Sequence, residues 1–454
     1  MITLINPPFS DKNTDYYFYQ KGRYPHPGIS YITGYLKKRG VAAKTIDAKY
    51  YNYDFADVIN LVKKDDNNII GLTSNTSEIN NTLGLIKEIK TACPDKFIIL
   101  GGIHACALPE ETLRSTPFID AVAFTEGEGV LSDLSNSRDI YRDLPSIRGV
   151  IFRQNGQIIN NGPRELPDSL KGYGPANYDH WENAKKYFVM TYRGCPFACS
   201  FCFRALGKKV RARDIEDVMV DLHRIASASG DIDVNIFDAT FGLIREHTEK
   251  ILEEIIKEKL HKRFKWSCTT RVDIIDKDLL KLMKEAGCYS VAFGIESGSD
   301  DILKGTGKNT KIAQSIKIVG DAKNLGLETV GYYIFGHPGE NKKDIQKTIN
   351  AIWKINTHEV RIGIMVPWPG TKVYEMAKEH KGGYRLLSQD YSKFDKYFGN
   401  VMSFDNFSLK YLDIMRVVAF LKLYVYNLRV KDISLFLKKN YKEVFKKILN
   451  IIQS

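Results

Sequence analysis

Three cysteines crowd into the run GCPFACSFC at 194–202, as Cys195, Cys199 and Cys202, at spacings of four and three. Thiolates are soft ligands that suit iron and zinc. A zinc knuckle closes with four ligands, and no His or Cys follows closely enough to be the fourth. An iron-sulfur cube normally takes four protein ligands, so three leave one iron open to a small chelating molecule. Cys93, Cys106, Cys268 and Cys288 are scattered without ligand spacing and read as small core residues. Seven cysteines in 454 residues make no disulfide framework. The fold must therefore offer one rigid loop to a metal centre.

Short β-rich runs, ITLIN, AAKTID, NIIGLTS, FIILGG and AVAF, alternate over residues 1–135 with helical stretches such as ISYITGYLKKRG and INNTLGLIKEIK. That is the pattern of a parallel, Rossmann-like sheet covered by helices on both faces. Gly and Ser gather just after the strand ends, where open sheets bind ligands. GVIFRQNGQIINNG predicts a β-hairpin turning at Asn155-Gly156, and turn-rich sequence follows, so 136–183 reads as hairpin and linker. βα alternation resumes over 184–382 and predicts a partial (β/α)6 TIM-type barrel, with GIMVPW as its last strand. The cysteine loop directly follows the first strand of this unit. Residues 383–454 read as a helical segment ending in the amphipathic LFLKKNYKEVFKKILNII.

RGCPFACSFC resembles the signature of the radical S-adenosylmethionine (SAM) enzymes. The resemblance implies a 4Fe-4S cluster on Cys195, Cys199 and Cys202, with SAM on the open iron and the ring of Phe201 near adenine. FDATF resembles the family segment that places polar groups on the SAM methionine moiety, here Asp238 and Thr240. FGIESGS resembles the later strand whose Glu, here Glu296 with Ser297 behind it, contacts SAM. GYYIFGHPGE resembles the strand whose backbone around Ile334 and Gly336 lies against adenine, and Arg271 ends another strand that faces the site.

The loops LINPPF, LTSNTSE, LGGIHA and TEGEG resemble, in order, those of the cobalamin-binding domain upstream of many radical SAM domains. The resemblance implies that Ser74 and Thr76 meet the corrin or its nucleotide tail, and that Gly101 and Gly102 let the tail pass close to the backbone. Glu126 and Gly127 belong to the last of these loops, with Thr125 in place of the usual leading Gly. Pro8 stands near the place of the cobalt-ligating His in methionine-synthase-type domains, and a proline cannot ligate. The lower face of cobalt is then left to water or to a residue such as Asn75. His104 lies in the same region, where a loop-supporting role competes with cofactor contact.

The whole pattern resembles the cobalamin-binding radical SAM enzymes of the class B methyltransferase type. It implies methylation of an unactivated centre of a small organic substrate, with an external electron donor such as flavodoxin or ferredoxin. Cyclisation, ring contraction, dehydration and deoxygenation are alternatives on the same scaffold. A non-catalytic cobalamin sensor and a nucleic-acid-modifying enzyme stand further off. The formal charge of +12 comes from Lys spread along the chain, which reads as solvated surface with no nucleic-acid partner. No basic-then-apolar leader and no membrane-length apolar run is present, so the expectation is a cytoplasmic protein without membrane insertion.

Overall fold

A computed structural model of the chain describes residues 1–9, 24–395 and 401–429. Five strands of the first unit run parallel: β1 (Ile2–Asn6), β2 (Ala43–Asp47), β3 (Ile69–Thr73), β4 (Phe97–Gly101) and β5 (Ala121–Ala123). Their order is β2-β1-β3-β4-β5. The alternation of side chains splits its core. Leu4, Ile69 and Ile99 point to one face, Ile5, Ile70 and Leu100 to the other, and each belongs to a different apolar cluster.

The hairpin turns where expected, with Asn155 and Gly156 both at positive φ, joining β6 (Val150–Gln154) to β7 (Gln157–Asn160). β6 pairs antiparallel with β5, so the hairpin extends the first sheet to seven strands and the unit runs past residue 135. Val150, Ile151 and Phe152 of VIFRQ are all buried, so this strand is covered on both faces.

The second unit begins with β8 (Lys186–Val189). A short antiparallel pair, β9 (Tyr192–Arg193) and β10 (Arg211–Ala212), follows and closes off the cysteine loop. Then come β11 (Ile232–Ile236), β12 (Phe264–Thr270), β13 (Cys288–Glu296), β14 (Glu328–Phe335) and β15 (Glu359–Ile364). Together with β8 they form a six-stranded parallel sheet, with helices between successive strands, in the order expected of a partial (β/α)6 unit.

The segment after 383 is not simply helical. β16 (Tyr384–Leu386) and β17 (Met402–Phe404) pair antiparallel, and only then does the helix Leu409–Tyr426 begin, capped by Ser408. Tyr391 and Phe394 belong to the far-face core of the first sheet, in one apolar cluster with Leu100 and Ile79. Tyr397, Phe398 and the terminal amphipathic run lie outside the described residues.

The two units share one continuous core. Ile2 and Phe97 of the first sheet belong to the same cluster as Val189 and Trp266 of the second. Polar contacts cross the seam as well. Tyr31 accepts from the backbone N–H of Met190 (2.7 Å), and in the segment connecting the units Trp181 Nε1 donates to Asp47 at the end of β2 (2.8 Å).

Candidate cofactor site

The cysteine loop is pinned at its base by the β9–β10 pair. Gly194 begins it at φ +91, and a Cβ there would sit 1.9 Å from the Lys209 carbonyl oxygen, so only glycine fits. Cys195 N–H donates to Gly207 O at 3.2 Å, and Cys202 N–H to Cys199 O at 3.2 Å. Ser200 ties the loop to two other segments: its N–H donates to Thr306 O (2.9 Å), and its carbonyl accepts from Val373 N–H (3.2 Å).

All three thiols are free. Burial pushes the Cys199 thiol up, and nearby Lys308 and Arg271 pull it back. Cys202 is pushed up to about 11, first by desolvation and then by repulsion from Cys199 and Cys195. Burial and the neighbouring thiols oppose ionisation of Cys199 and Cys202, and a cationic iron-sulfur core bound there would offset that and hold them deprotonated. Among the described residues no three His, Cys, Asp or Glu side chains are grouped to hold a single metal ion. In a cube each thiolate takes its own iron, so its ligands need not converge on one point.

Around the loop, Glu296 ends β13 with φ +68, an unusual conformation for a side-chain-bearing residue, and its carboxylate pairs with Lys308 Nζ at 3.1 Å. His337 joins this corner to the loop. Its Nε2 lies 3.4 Å from Glu296 O, and its ring meets Phe201 edge-on at 5.5 Å. Glu340 Oε2 accepts from the N–H groups of Gly336 (2.6 Å) and His337 (3.1 Å), fixing the turn after β14. Phe201, Glu296 and Gly336 are thus brought together, with half-buried Ile334 one residue before the end of β14.

Other expected SAM contacts are engaged elsewhere. Asp238 accepts from Thr191 N–H (2.7 Å), Thr191 Oγ1 (2.5 Å) and Tyr192 N–H (3.3 Å), so its carboxylate fixes the strand leading into the loop. Burial pushes it up to about 6. Thr240 donates to Ala239 O. Ser297 follows the reversed Glu296, and its hydroxyl turns to Thr348 Oγ1 (3.3 Å) and the Ser299 N–H (3.2 Å). The α-carbon of Gly336 abuts the Phe404 ring, which a Cβ would meet at 2.5 Å.

In the first unit, Gly102 makes room for the chain itself and not only for a ligand. A Cβ on it would lie 2.6 Å from Ser74 N and O, and the β3 and β4 loops close on each other there through Ser74 N–H to Gly101 O (3.2 Å). Gly101 is less crowded, with nothing closer than 3.9 Å to such an atom. Ser74 Oγ is held by Asn75 O and Thr82 Oγ1, both at 3.0 Å. His104 is buried, with Nδ1 3.4 Å from Thr76 Oγ1 and its ring edge-on to Tyr391, so both side chains brace a loop. Desolvation holds His104 down to about 4, which keeps it neutral. Pro8 is buried and its carbonyl accepts from Asn81 Nδ2. Exposed Asn75 donates from Nδ2 to Glu78 Oε2 (3.3 Å) and lines a cavity of about 100 Å³ at the ends of β1, β2 and β3, with Asn6, His26 and Lys49.

Glu126 does not face that cavity. Its carboxylate receives both terminal nitrogens of Arg211, at 2.9 and 2.6 Å, and Arg193 bonds Glu128 at 2.6 Å. Gly127 opens the next helix against Ile32, which a Cβ would meet at 3.1 Å. The TEGEG loop thus grips the base of the cysteine loop. Arg193, Arg211 and Glu128 escaped the sequence reading, although two acids on one glycine-rich loop and two arginines flanking the cysteine run were the available signal.

Comparison with known proteins accords with this arrangement. Residues 189–352 match the Radical SAM superfamily, and 20–135 match the B12 binding domain. An uncharacterized methyltransferase of Pyrococcus horikoshii is 31% identical over 419 residues, covering 90% of each chain. An anaerobic magnesium-protoporphyrin IX monomethyl ester cyclase of Cereibacter sphaeroides is 24% identical, over 82% of this chain and 63% of its own. Among solved structures, the radical SAM methyltransferase TsrM from Kitasatospora setae, with cobalamin and a [4Fe-4S] cluster bound, has the same fold. Its TM-score is 0.74 at 16% identity, over 89% of this chain and 84% of its own.

Proposed function

This chain belongs to the cobalamin-dependent radical SAM enzymes, and from that premise we propose that it methylates an unactivated centre of a small organic substrate held between its two units. The observation that carries this reading is the grip of the TEGEG loop on the base of the cysteine loop, which joins the B12-type unit to the cluster-bearing unit. When bound, the cluster and SAM supply a carbon radical that abstracts hydrogen, and cobalamin supplies the transferable methyl group.

The chain's own residues supply position and shielding. Cys195, Cys199 and Cys202 hold the cluster. Phe201, Glu296 and Ile334 surround the space beside it and receive SAM, with His337 keeping Phe201 and the Glu296 backbone in register. The ends of β1, β3 and β4, with Asn75 and Gly101, would hold cobalamin, and Pro8 offers no ligand to cobalt. The electron comes from an external donor such as flavodoxin or ferredoxin, and a reducing cytoplasm suits seven free cysteines. No helix among the described residues is long and apolar enough to cross a membrane.

A second reading, oxidative ring formation without methyl transfer, is favoured by the cyclase relatives. The two diverge in product. Methyl transfer yields both deoxyadenosine and S-adenosylhomocysteine from SAM under dithionite, whereas ring formation yields deoxyadenosine without S-adenosylhomocysteine.

A further inference from the structure

We propose that Arg271 serves the iron-sulfur cluster and not SAM, donating from Nη1 to the Cys199 sulfur and holding the cluster's reduction potential up. The inference rests on the reading that the three cysteines carry that cluster.

The donors of the guanidinium can be followed one at a time. Nε donates to Asp273 Oδ1 at 2.9 Å, and Nη2 donates to Asp273 Oδ2 at 2.8 Å and to Lys308 O at 2.6 Å. Nη1 lies 3.9 Å from Cys199 Sγ, within reach of an N–H···S bond. The Phe197 ring covers one face, 3.7 Å from its centroid to the guanidinium carbon. A guanidinium has five N–H donors in a fixed fork, so a single one is left over. One N–H cannot make the two-pronged grip with which arginine holds a carboxylate such as that of SAM.

The geometry also fixes the sign of the effect. Asp273 sits on the Nε edge and the sulfur on the Nη1 side, so the positive end of this part-buried pair points at Cys199. Reduction adds an electron to a cluster, and N–H···S donation stabilises the electron-richer form. Lys308 is placed differently, because its ammonium pairs with Glu296.

The test is a redox titration of anaerobically reconstituted protein, followed by electron paramagnetic resonance without SAM, in wild type, Arg271→Gln and Asp273→Asn. Arg271→Gln lowers the midpoint potential, cutting the reduced-to-oxidised ratio about tenfold at the wild-type midpoint, which is about 59 mV for one electron. Asp273→Asn removes the counter-charge and raises the potential. An unchanged or higher potential in Arg271→Gln overturns the proposal. If that variant takes up no cluster, Asp273→Asn decides: an upward shift supports the proposal, and an unchanged or lower potential overturns it. Wild-type protein that binds no iron and sulfide would instead overturn the cluster reading.

Discussion

Arg211 grips Glu126 with both terminal nitrogens across the seam between the two units, and its own side chain is wholly buried while that of Glu126 is 7% exposed. The pair ties the base of the cluster-bearing loop to the loop after β5 of the B12-type sheet. Arg193 adds a second link, to Glu126 at 3.4 Å and to Glu128 at 2.6 Å.

Breaking one side of a buried ion pair leaves an uncompensated charge and costs about 3–5 kcal/mol. Arg211→Met therefore lowers the urea midpoint strongly, and adding Glu126→Leu restores part of the loss. A midpoint unchanged in the single variant would mean that the seam does not depend on this pair.

Gly194→Ala sets a Cβ against the Lys209 carbonyl in a left-handed conformation, which costs about 1–3 kcal/mol in strain before any displacement. The base of the loop shifts and the thiols lose register. Iron bound per chain after anaerobic reconstitution falls well below wild type, while circular dichroism reports an intact fold. Full iron loading would show that the loop tolerates the displacement.

Much of this arrangement is legible in the sequence, because the signals are local. Strand periodicity, the Asn155-Gly156 turn and the cysteine spacing each lie within a few residues, and they fall where the sequence puts them, except that the last strand of the second unit is EVRIGI and shares only Gly363 and Ile364 with the expected GIMVPW. What is not legible depends on a partner far along the chain. Nothing in VIFRQ says that it pairs with β5, and nothing in TEGEG says that Glu126 meets Arg211 across 85 positions. Asp238 is a related case: nothing local says that the chain returns at Thr191 to donate to its carboxylate. The β16–β17 hairpin was hidden by a segment too short for periodicity to speak.

Glu340 is buried, and desolvation pushes its carboxyl up to about 8, although Gly336 and His337 donate to it. Its unfolded value is near 4.5. Between those values the folded protein keeps a proton that the unfolded chain has released, so stability falls as pH rises from about 4.5 to about 8. Glu340→Gln retains an acceptor for both N–H groups but cannot ionise. Between pH 5.5 and 8.5 the melting temperature of the wild type falls more than that of the variant; parallel curves would contradict this.

His104 gives the opposite slope. Its folded value is held near 4 against 6.5 unfolded, so the unfolded chain takes up the proton first, and stability present above pH 6.5 is lost as pH falls toward 4. His104→Gln flattens the acid side of the stability profile relative to wild type. A variant as acid-sensitive as wild type between pH 6.5 and 4 would remove His104 from this account.

Cobalamin-dependent radical chemistry in this chain is tested by purifying the protein without oxygen, reconstituting it with iron, sulfide and cobalamin, and following the fate of SAM under dithionite beside Cys199→Ala. The account predicts about four iron atoms per chain, retained cobalt, and both deoxyadenosine and S-adenosylhomocysteine in the wild type, with neither product from the variant. Wild-type protein that holds no iron and leaves SAM intact would contradict it.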